Sequence, residues 1–529
     1  MGDKSNSPGH EQDGRAAASP GHRARTGPAA TILRYIYPFV VPRKKDFNRW
    51  QREAARWHLL HLGGTVWRAS TTPFFFCNML LQPLKNLLLL PLLFLLLLAA
   101  QSPALAQTTP PATTATAAAP APAVTAATAP TASPPTSAAP FNVEAATQAY
   151  LNTLTPAQKV KSDAYFEGGY WLQVVELLYA LGVAAVFLRL GLGRWLKART
   201  QRLARPWLRT LAFAAGYLLL AWALSLPLDI YEGYLREHSY GMSNQTFGAW
   251  FGENLTSLGL SVVFGSLVIL AFYAAVRRAG RSWWAWGTGL AALFLVISVF
   301  AGPVLISPLF NKSTPLPAGP IRAAILSMAR ANGVPADNVY LVDASRQTKR
   351  ISANVSGIGS TIRVSLNDNL LNRCSPAEVQ AVMGHELGHY VLNHIQKMLV
   401  FFTLIIGLSL WLVDWAFRRL TARYGAAWSV TDLGDVAGLP LALALFSVFM
   451  FLATPVRNTI IRTNEQEADM FGLNAARQPD AFASTAMKLS EYRKIDPSPL
   501  EEAIFYDHPS GHTRVLSAMR WKAEHLGDR

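Results

Sequence analysis

The stretch Ser375-Pro-Ala-Glu378-Val-Gln-Ala-Val-Met-Gly384-His385-Glu386-Leu387-Gly388-His389 carries both a helix start and a chemistry. Ser375 reads as an N-cap, Pro376 as the first helical position and Glu378 as the capping-box partner, which predicts a helix running through the HExxH sequence. Histidines four apart lie on one face of such a helix, so His385 and His389 can reach one Zn²⁺. Glu386 follows the first histidine, where it can take a proton from a metal-bound water.

Two histidines leave a catalytic zinc site incomplete, since three protein ligands and an open position are usual. The completion HExxHxxGxxH fails, because Leu392 stands at the glycine position and Ile395 at the third histidine position. His394 is one place off that pattern and reads as a polar residue near the helix end. A carboxylate from a second helix is the other completion, and Arg462-Thr-Asn-Glu465-Gln-Glu467-Ala-Asp469 offers one. Glu465 and Asp469 form an i,i+4 pair, so Glu465 can bind zinc while Asp469 hydrogen-bonds a ligand histidine. Glu467 points roughly 160° away from that face and reads as a solvated carboxylate.

Composition sets these helices in a membrane protein. Of 529 residues 51% are hydrophobic and only 15% charged, a polytopic profile that overrides the several soluble domains the length would allow. A net charge of +16 would suggest nucleic acid in a soluble chain. Here most basic residues stand beside apolar spans, where they set topology and meet anionic lipid, so no nucleic-acid partner is expected. The two cysteines, Cys77 and Cys374, are too few and too far apart for a disulfide framework or a thiolate metal site.

Taken in order, residues 1–78 hold 12 Lys/Arg against 5 Asp/Glu without an amphipathic period. Met79 then opens a signal-like segment with Lys85, a leucine-rich core and Ala104-Leu105-Ala106 as an A-x-A cleavage site. Met79 therefore reads as the start and 1–78 as a mis-called extension; the alternative is a basic cytoplasmic tail before an uncleaved anchor. Residues 107–140 are an Ala/Thr/Pro-rich linker that cannot bury a core. One interfacial helix is expected over Phe141–Phe166. Apolar stretches of spanning length follow at about 170–190, 207–228, 257–277, 284–305, 398–418 and 437–456. These divide the rest into an N-terminal membrane domain (141–306), a catalytic part with the HExxH (307–397), two further spans (398–456) and a C-terminal catalytic part (457–529).

The loops give an orientation. Arg189, Arg194, Lys197, Arg199, Arg202, Arg205 and Arg209 follow the first span; Arg277, Arg278 and Arg281 follow the third; Arg418, Arg419 and Arg423 follow the fifth. Residues 229–254 are acidic on balance. The positive-inside rule puts the basic loops in the cytoplasm and the HExxH on the opposite side, in agreement with a signal segment.

HELGH, with E-x-x-A-D about 76 residues later beyond a span, resembles the type I CAAX prenyl proteases and their bacterial HtpX-like relatives. Ser307-Pro-Leu-Phe-Asn-Lys-Ser-Thr-Pro-Leu-Pro317 is similar to the family's approach to its catalytic domain, and Arg236-Glu-His-Ser-Tyr-Gly-Met-Ser-Asn-Gln-Thr-Phe247 to a loop of its membrane domain. The resemblance covers roughly residues 165–525 and leaves 1–140 uncovered. It implies that His385, His389 and Glu465 bind one Zn²⁺ per chain and that Glu386 is the general base and then the proton donor. Lys349–Gly357 and Thr361–Leu366 read on their own as two strands around a turn. The resemblance makes the first an edge strand that binds substrate backbone, with Asn354 and Val355 as candidates. Tyr506-Asp-His508-Pro, with Arg514 six past the histidine, resembles the family's C-terminal segment. His508 would then stabilise the oxyanion and Arg514 brace nearby groups, with His512 a weaker candidate.

The expected architecture is mainly α: a polytopic membrane protein of six or seven transmembrane helices with a zincin-like α+β catalytic domain inserted between spans. The expected activity is zinc-dependent hydrolysis of peptide bonds in membrane-associated, misfolded or lipidated-tail proteins; the alternative is a non-proteolytic membrane scaffold or chaperone that kept the fold. Protein or peptide substrate and membrane lipid are the expected partners. The expected location is a bacterial inner membrane with the catalytic domain on the periplasmic side, the cytoplasmic side being the alternative. The sequence is silent on natural substrate and oligomeric state.

Overall fold

The computed structural model describes residues 141–357 and 362–527. The expected extension, signal segment and linker of residues 1–140 lie outside the described residues, as does the turn at 358–361.

The chain opens with α1 (Val143–Leu151), capped by the Asn142 side chain, and α2 (Pro156–Arg189). The single helix expected over Phe141–Phe166 is thus two. Thr155 and Gln158 form a capping box with Pro156 at the first position, and that start signal divides the stretch. The first 14 residues of α2 extend beyond the expected span. Next come α3 (Leu192–Thr200), α4 (Pro206–Ile230), and α5 (Phe247–Leu260) joined to α6 (Ser266–Ala279) through a π turn. After α7 (Trp283–Ala301) the chain leaves the bundle.

Among the described residues, four helical runs are long and apolar enough to cross a membrane, or five if a pair bent by 53° at residue 453 counts as one. The run Phe247–Leu309 is 63 residues long. It doubles back at Gly280 (φ 55), with α6 packed against α7, and so accounts for two of the six apolar stretches. Leu293, Ile297, Leu404 and Leu408 on these helices are more than half exposed, a surface that only lipid satisfies.

The next part is α+β. It contains β1 (Ser313–Pro315), α8 (Pro320–Ala331), β2 (Val339–Val342), β3 (Ala353–Ser356), β4 (Arg363–Asn367) and α9 (Asp368–Arg373). The sheet order is β1-β2-β4-β3, with β2 and β4 parallel and the outer pairs antiparallel, so β3 is an edge. Val339, Val364 and Leu366 bury one face against Ile325 of α8 and against Met383 and Leu387 of α10 (Pro376–Val391). Each such side chain contributes about 1.5–3 kcal/mol on burial.

Two more apolar helices follow, α11 (His394–Trp428) and α12 (Leu439–Leu452), and then the polar α13 (Thr454–Ala476). The chain ends with α14 (Pro479–Leu489), α15 (Pro499–Phe505) and α16 (Gly511–Glu524). A second core joins Phe482 and Ala486 of α14 to Val515 and Met519 of α16, and α1 completes it with Val143, Tyr150 and Leu151. The segment before the first span therefore docks on the C-terminal helices.

Both α2 and α11 run from the catalytic end of the bundle to the basic end. Tyr170, early in α2, donates to Glu501, and α11 begins beside the HExxH helix. At the far end Lys197 pairs with Asp435 at 2.7 Å, and Arg277 donates to the Gly434 carbonyl and Thr210.

Candidate metal centre

The capping box predicted for α10 is formed: Ser375 Oγ accepts from Glu378 N and the Glu378 carboxylate accepts from Ser375 N. Lys488 and Ser484 of α14 also donate to Glu378, tying the start of the motif helix to the C-terminal layer.

The second half of α10 crosses α13 at unusually short range. A Cβ on Gly384 would lie 3.1 Å from the Gly472 carbonyl, one on Gly388 3.2 Å from Ala468 Cα, and one on Gly472 2.8 Å from His385 N. Two glycines one turn apart on α10 and one on α13 let the backbones approach closely. Sequence reasoning took HELGH for its histidines and missed this use of its glycines; the paired spacing Gly384/Gly388 was the available signal.

That approach brings three candidate ligand residues together. His385 Nε2 lies 3.1 Å from His389 Nε2 and 3.3 Å from Glu465 Oε2, and His389 Nε2 lies 3.5 Å from Glu465 Oε1. These separations match the roughly 3.3 Å edge of a tetrahedron with ~2 Å metal–ligand bonds. Glu465 Oε2 is buried and satisfied by no hydrogen bond of proper geometry, the state expected of an acceptor made for a cation. The donor set fits a metal ion of zinc's preference.

Outside these three, His385 Nδ1 lies 2.8 Å from Asp469 Oδ1, and Arg514 grips both Asp469 oxygens. His508 Nε2 lies 3.2 Å from Glu465 Oε2, and its Nδ1 meets Asp507 at 2.8 Å. Burial lowers the basicity of His385, but the hydrogen bond to Asp469 and the negative charges of Asp469 and Glu465 outweigh it and raise its pKa to about 10. His389, buried beside His385, is pushed down to about 3. Burial raises Glu386 to about 7.

A cleft of about 290 Å³ opens on these residues, lined by Ile351, Ala353, His385, Glu386, His508 and Arg514 among others. The segment leading into edge strand β3 thus forms one wall. Further along that strand, Asn354 is exposed, while the Val355 side chain packs into the core and leaves only its backbone available. His512 pairs with Asp496 at 3.0 Å instead and does not line the cleft.

One sequence reading is sharpened and one needs correction. His394 does stand near the helix end, but it is fully buried, and its Nδ1 lies 2.9 Å from His389 Nδ1. Glu467 is not solvated: it meets His394 Nε2 at 3.0 Å and Lys397 Nζ at 2.6 Å. Glu467 does point away from the Glu465 face, but the start of α11 covers that side.

Residues 315–522 match the family model described as peptidase family M48, and residues 142–312 match one described as the CAAX prenyl protease N-terminal region with five membrane helices. Within the latter stretch lie the four apolar passes and α1. A Bacillus subtilis relative, the uncharacterized metalloprotease YhfN, is 32% identical over 313 residues, covering 59% of this chain and 73% of its own. CAAX prenyl protease 1 of Saccharomyces cerevisiae is 26% identical, covering 60% and 73%. The crystal structure of S. mikatae Ste24p matches the fold with a TM-score of 0.57 at 22% identity, over 71% of this chain and 94% of that one. Two family models that meet where the chain leaves the bundle, and a bacterial relative aligned over most of its length, place the chain in peptidase family M48 as an integral-membrane metallopeptidase of the CAAX prenyl protease type.

Proposed function

We infer that the protein is a zinc endopeptidase of a bacterial inner membrane, acting on membrane-associated, misfolded or lipidated-tail proteins from the periplasmic side. One observation carries the reading: His385, His389 and Glu465 converge to within 4.8 Å beside Glu386, in a cleft whose wall leads into an edge strand. The working parts are the membrane bundle (141–306), the catalytic stretch 307–397, two further passes (398–456) and the returning segment 457–529.

His385, His389 and Glu465 would hold the zinc, which when bound would supply Lewis acidity towards a peptide carbonyl and a water. Glu386 accepts the proton of the attacking water and passes it to the departing amine. Backbone groups of β3 at Asn354 and Val355 pair with an extended substrate, as an edge strand readily does. His508 donates from Nε2 to the oxyanion, with Asp507 holding its other nitrogen. Asp469 orients His385, and Arg514 holds Asp469 in place.

The periplasmic orientation is supported by the gathering of basic loops at the bundle end away from the cleft. A cytoplasmic reporter fused after residue 395 that proved active would overturn it. The peptidase reading is tested by incubating purified full-length protein in lipid vesicles with an unstructured, membrane-tethered polypeptide. Cleavage should stop with a zinc chelator and return with zinc; cleavage indifferent to chelation would sink the metal mechanism.

A further inference from the structure

The two candidate histidine ligands are backed in different ways. His385 faces the Asp469 carboxylate directly, at 2.8 Å. His389 faces another imidazole: His394 Nδ1 lies 2.9 Å from His389 Nδ1, with the rings 5.0 Å apart and inclined by 74°. On its far side His394 Nε2 lies 3.0 Å from Glu467 Oε2, and the same oxygen accepts from Lys397 at 2.6 Å. His394 is completely buried, and both of its nitrogens are engaged.

We propose that His394 and Glu467 are positioning residues that fix the tautomer of His389 and aim its Nε2 lone pair at the metal. The inference rests on the zinc reading above. With one proton on each imidazole, the hydrogen-bond chain has one consistent direction. Glu467, ion-paired to Lys397, only accepts, so His394 Nε2 donates to it. His394 then presents an unprotonated Nδ1 towards His389. His389 Nδ1 therefore carries the proton and donates it, which leaves His389 Nε2 as a free lone pair facing His385 Nε2 and Glu465. The opposite arrangement would leave a proton on His389 Nε2, and it would require a second proton on His394.

One helix thereby supplies the carboxylate ligand and the outer acceptors of both histidines. Glu465 and Asp469 work from the near face of α13, and Glu467 works from its far face through His394. The connection depends on Asn393, which adopts a left-handed conformation (φ 57) between α10 and α11. On an uninterrupted helix, His394 would point roughly 140° away from His389. The left-handed residue, a conformation that asparagine tolerates better than most, turns the chain so that the rings meet.

The test uses full-length protein in detergent, with zinc affinity measured by chelator competition and the visible spectrum recorded after cobalt substitution. His394→Phe keeps a ring but removes both nitrogens; affinity should fall about 10–100-fold and the cobalt bands should shift. His394→Gln can still accept from His389 and donate to Glu467, so it should recover most of that loss. Glu467→Gln, which keeps volume, should weaken zinc by an intermediate factor and serves if the phenylalanine variant does not fold. Affinities of the Phe and Glu467→Gln variants within about threefold of wild type would overturn the proposal, as would equal losses for Phe and Gln at 394, which would mean that His394 only fills space. Wild-type protein that binds no zinc would remove the underlying site; unchanged variants of a zinc-binding protein would remove this inference alone.

Discussion

The two helices that cross at the centre carry information in opposite ways. Helix α10 is self-sufficient: its cap, its proline, its histidine spacing and the glutamate proposed as the base all lie within 15 consecutive residues. Helix α13 has no side-chain cap at its start, and its charged residues acquire roles only from what surrounds them. Asp469 matters because Arg514 and His385 reach it, and Glu467 because α11 covers its face. A motif that builds its own local structure can be read alone; one that depends on tertiary neighbours gives up its periodicity, as at Glu465 and Asp469, but not a contact such as Glu467–His394.

Substitutions sharpen that contrast. The largest effect is expected of Glu465→Ala, which leaves α10 untouched yet removes the only carboxylate of the ligand set; bound zinc and cleavage should both disappear, and metal analysis showing full zinc content would point to a different third ligand. Glu386→Gln should do the converse, keeping zinc while cleavage falls by about 10²–10⁴-fold. The corresponding wild-type pH profile should decline on the acid side, because the protonated carboxyl cannot accept the water's proton. With the Glu386 pKa raised to about 7, and zinc's charge drawing it lower, that decline should set in at or below neutrality. A profile that rises towards acid would contradict Glu386 as base.

Gly472→Ala tests whether α13 contributes more than its carboxylates. The added Cβ would lie 2.8 Å from His385 N, so the helices must part. A cost of about 1–3 kcal/mol is expected, seen as a lower thermal midpoint together with weaker zinc binding. Normal zinc affinity in this variant would mean that the close crossing is not what sets the ligands. The smallest change is expected of Ser375→Ala, which should cost about 1 kcal/mol of stability and leave cleavage per folded molecule unchanged. The Glu378 partner of that cap gives the effect a pH signature. Burial alone would raise its carboxyl, but hydrogen bonds from Lys488, Ser484 and Ser375 outweigh it and hold it below the ordinary glutamate range. Its contribution is therefore complete above that range and is lost as pH falls through the depressed value. Glu378→Gln should flatten that acid loss.

The membrane passes, the motif helix and the strand pair were legible because each rests on local pattern: apolar length, a capping box, strand-like runs around a glycine. The fourfold step to Asp469 was legible for the same reason, since helical periodicity alone sets it on the Glu465 face. His394 was not legible. Its distance from His389 makes sense only after a left-handed residue, and a lone Asn393 between two helices does not announce one. The single helix expected at Phe141–Phe166 failed differently, because Thr155-Pro156 and Gln158 were an available start signal inside a stretch of mixed polarity.

The ligand carboxylate stands 76 residues beyond the second histidine, with α11 and α12 lying between. A growing chain that has reached Trp428 already holds His385, Glu386 and His389, but neither Glu465 nor the Asp469–Arg514 clamp. The cutting apparatus is therefore absent throughout synthesis and insertion, and it closes only after both intervening passes are seated and the chain has returned to the HExxH side. The order of the chain thus makes assembly of the site wait on insertion of α11 and α12.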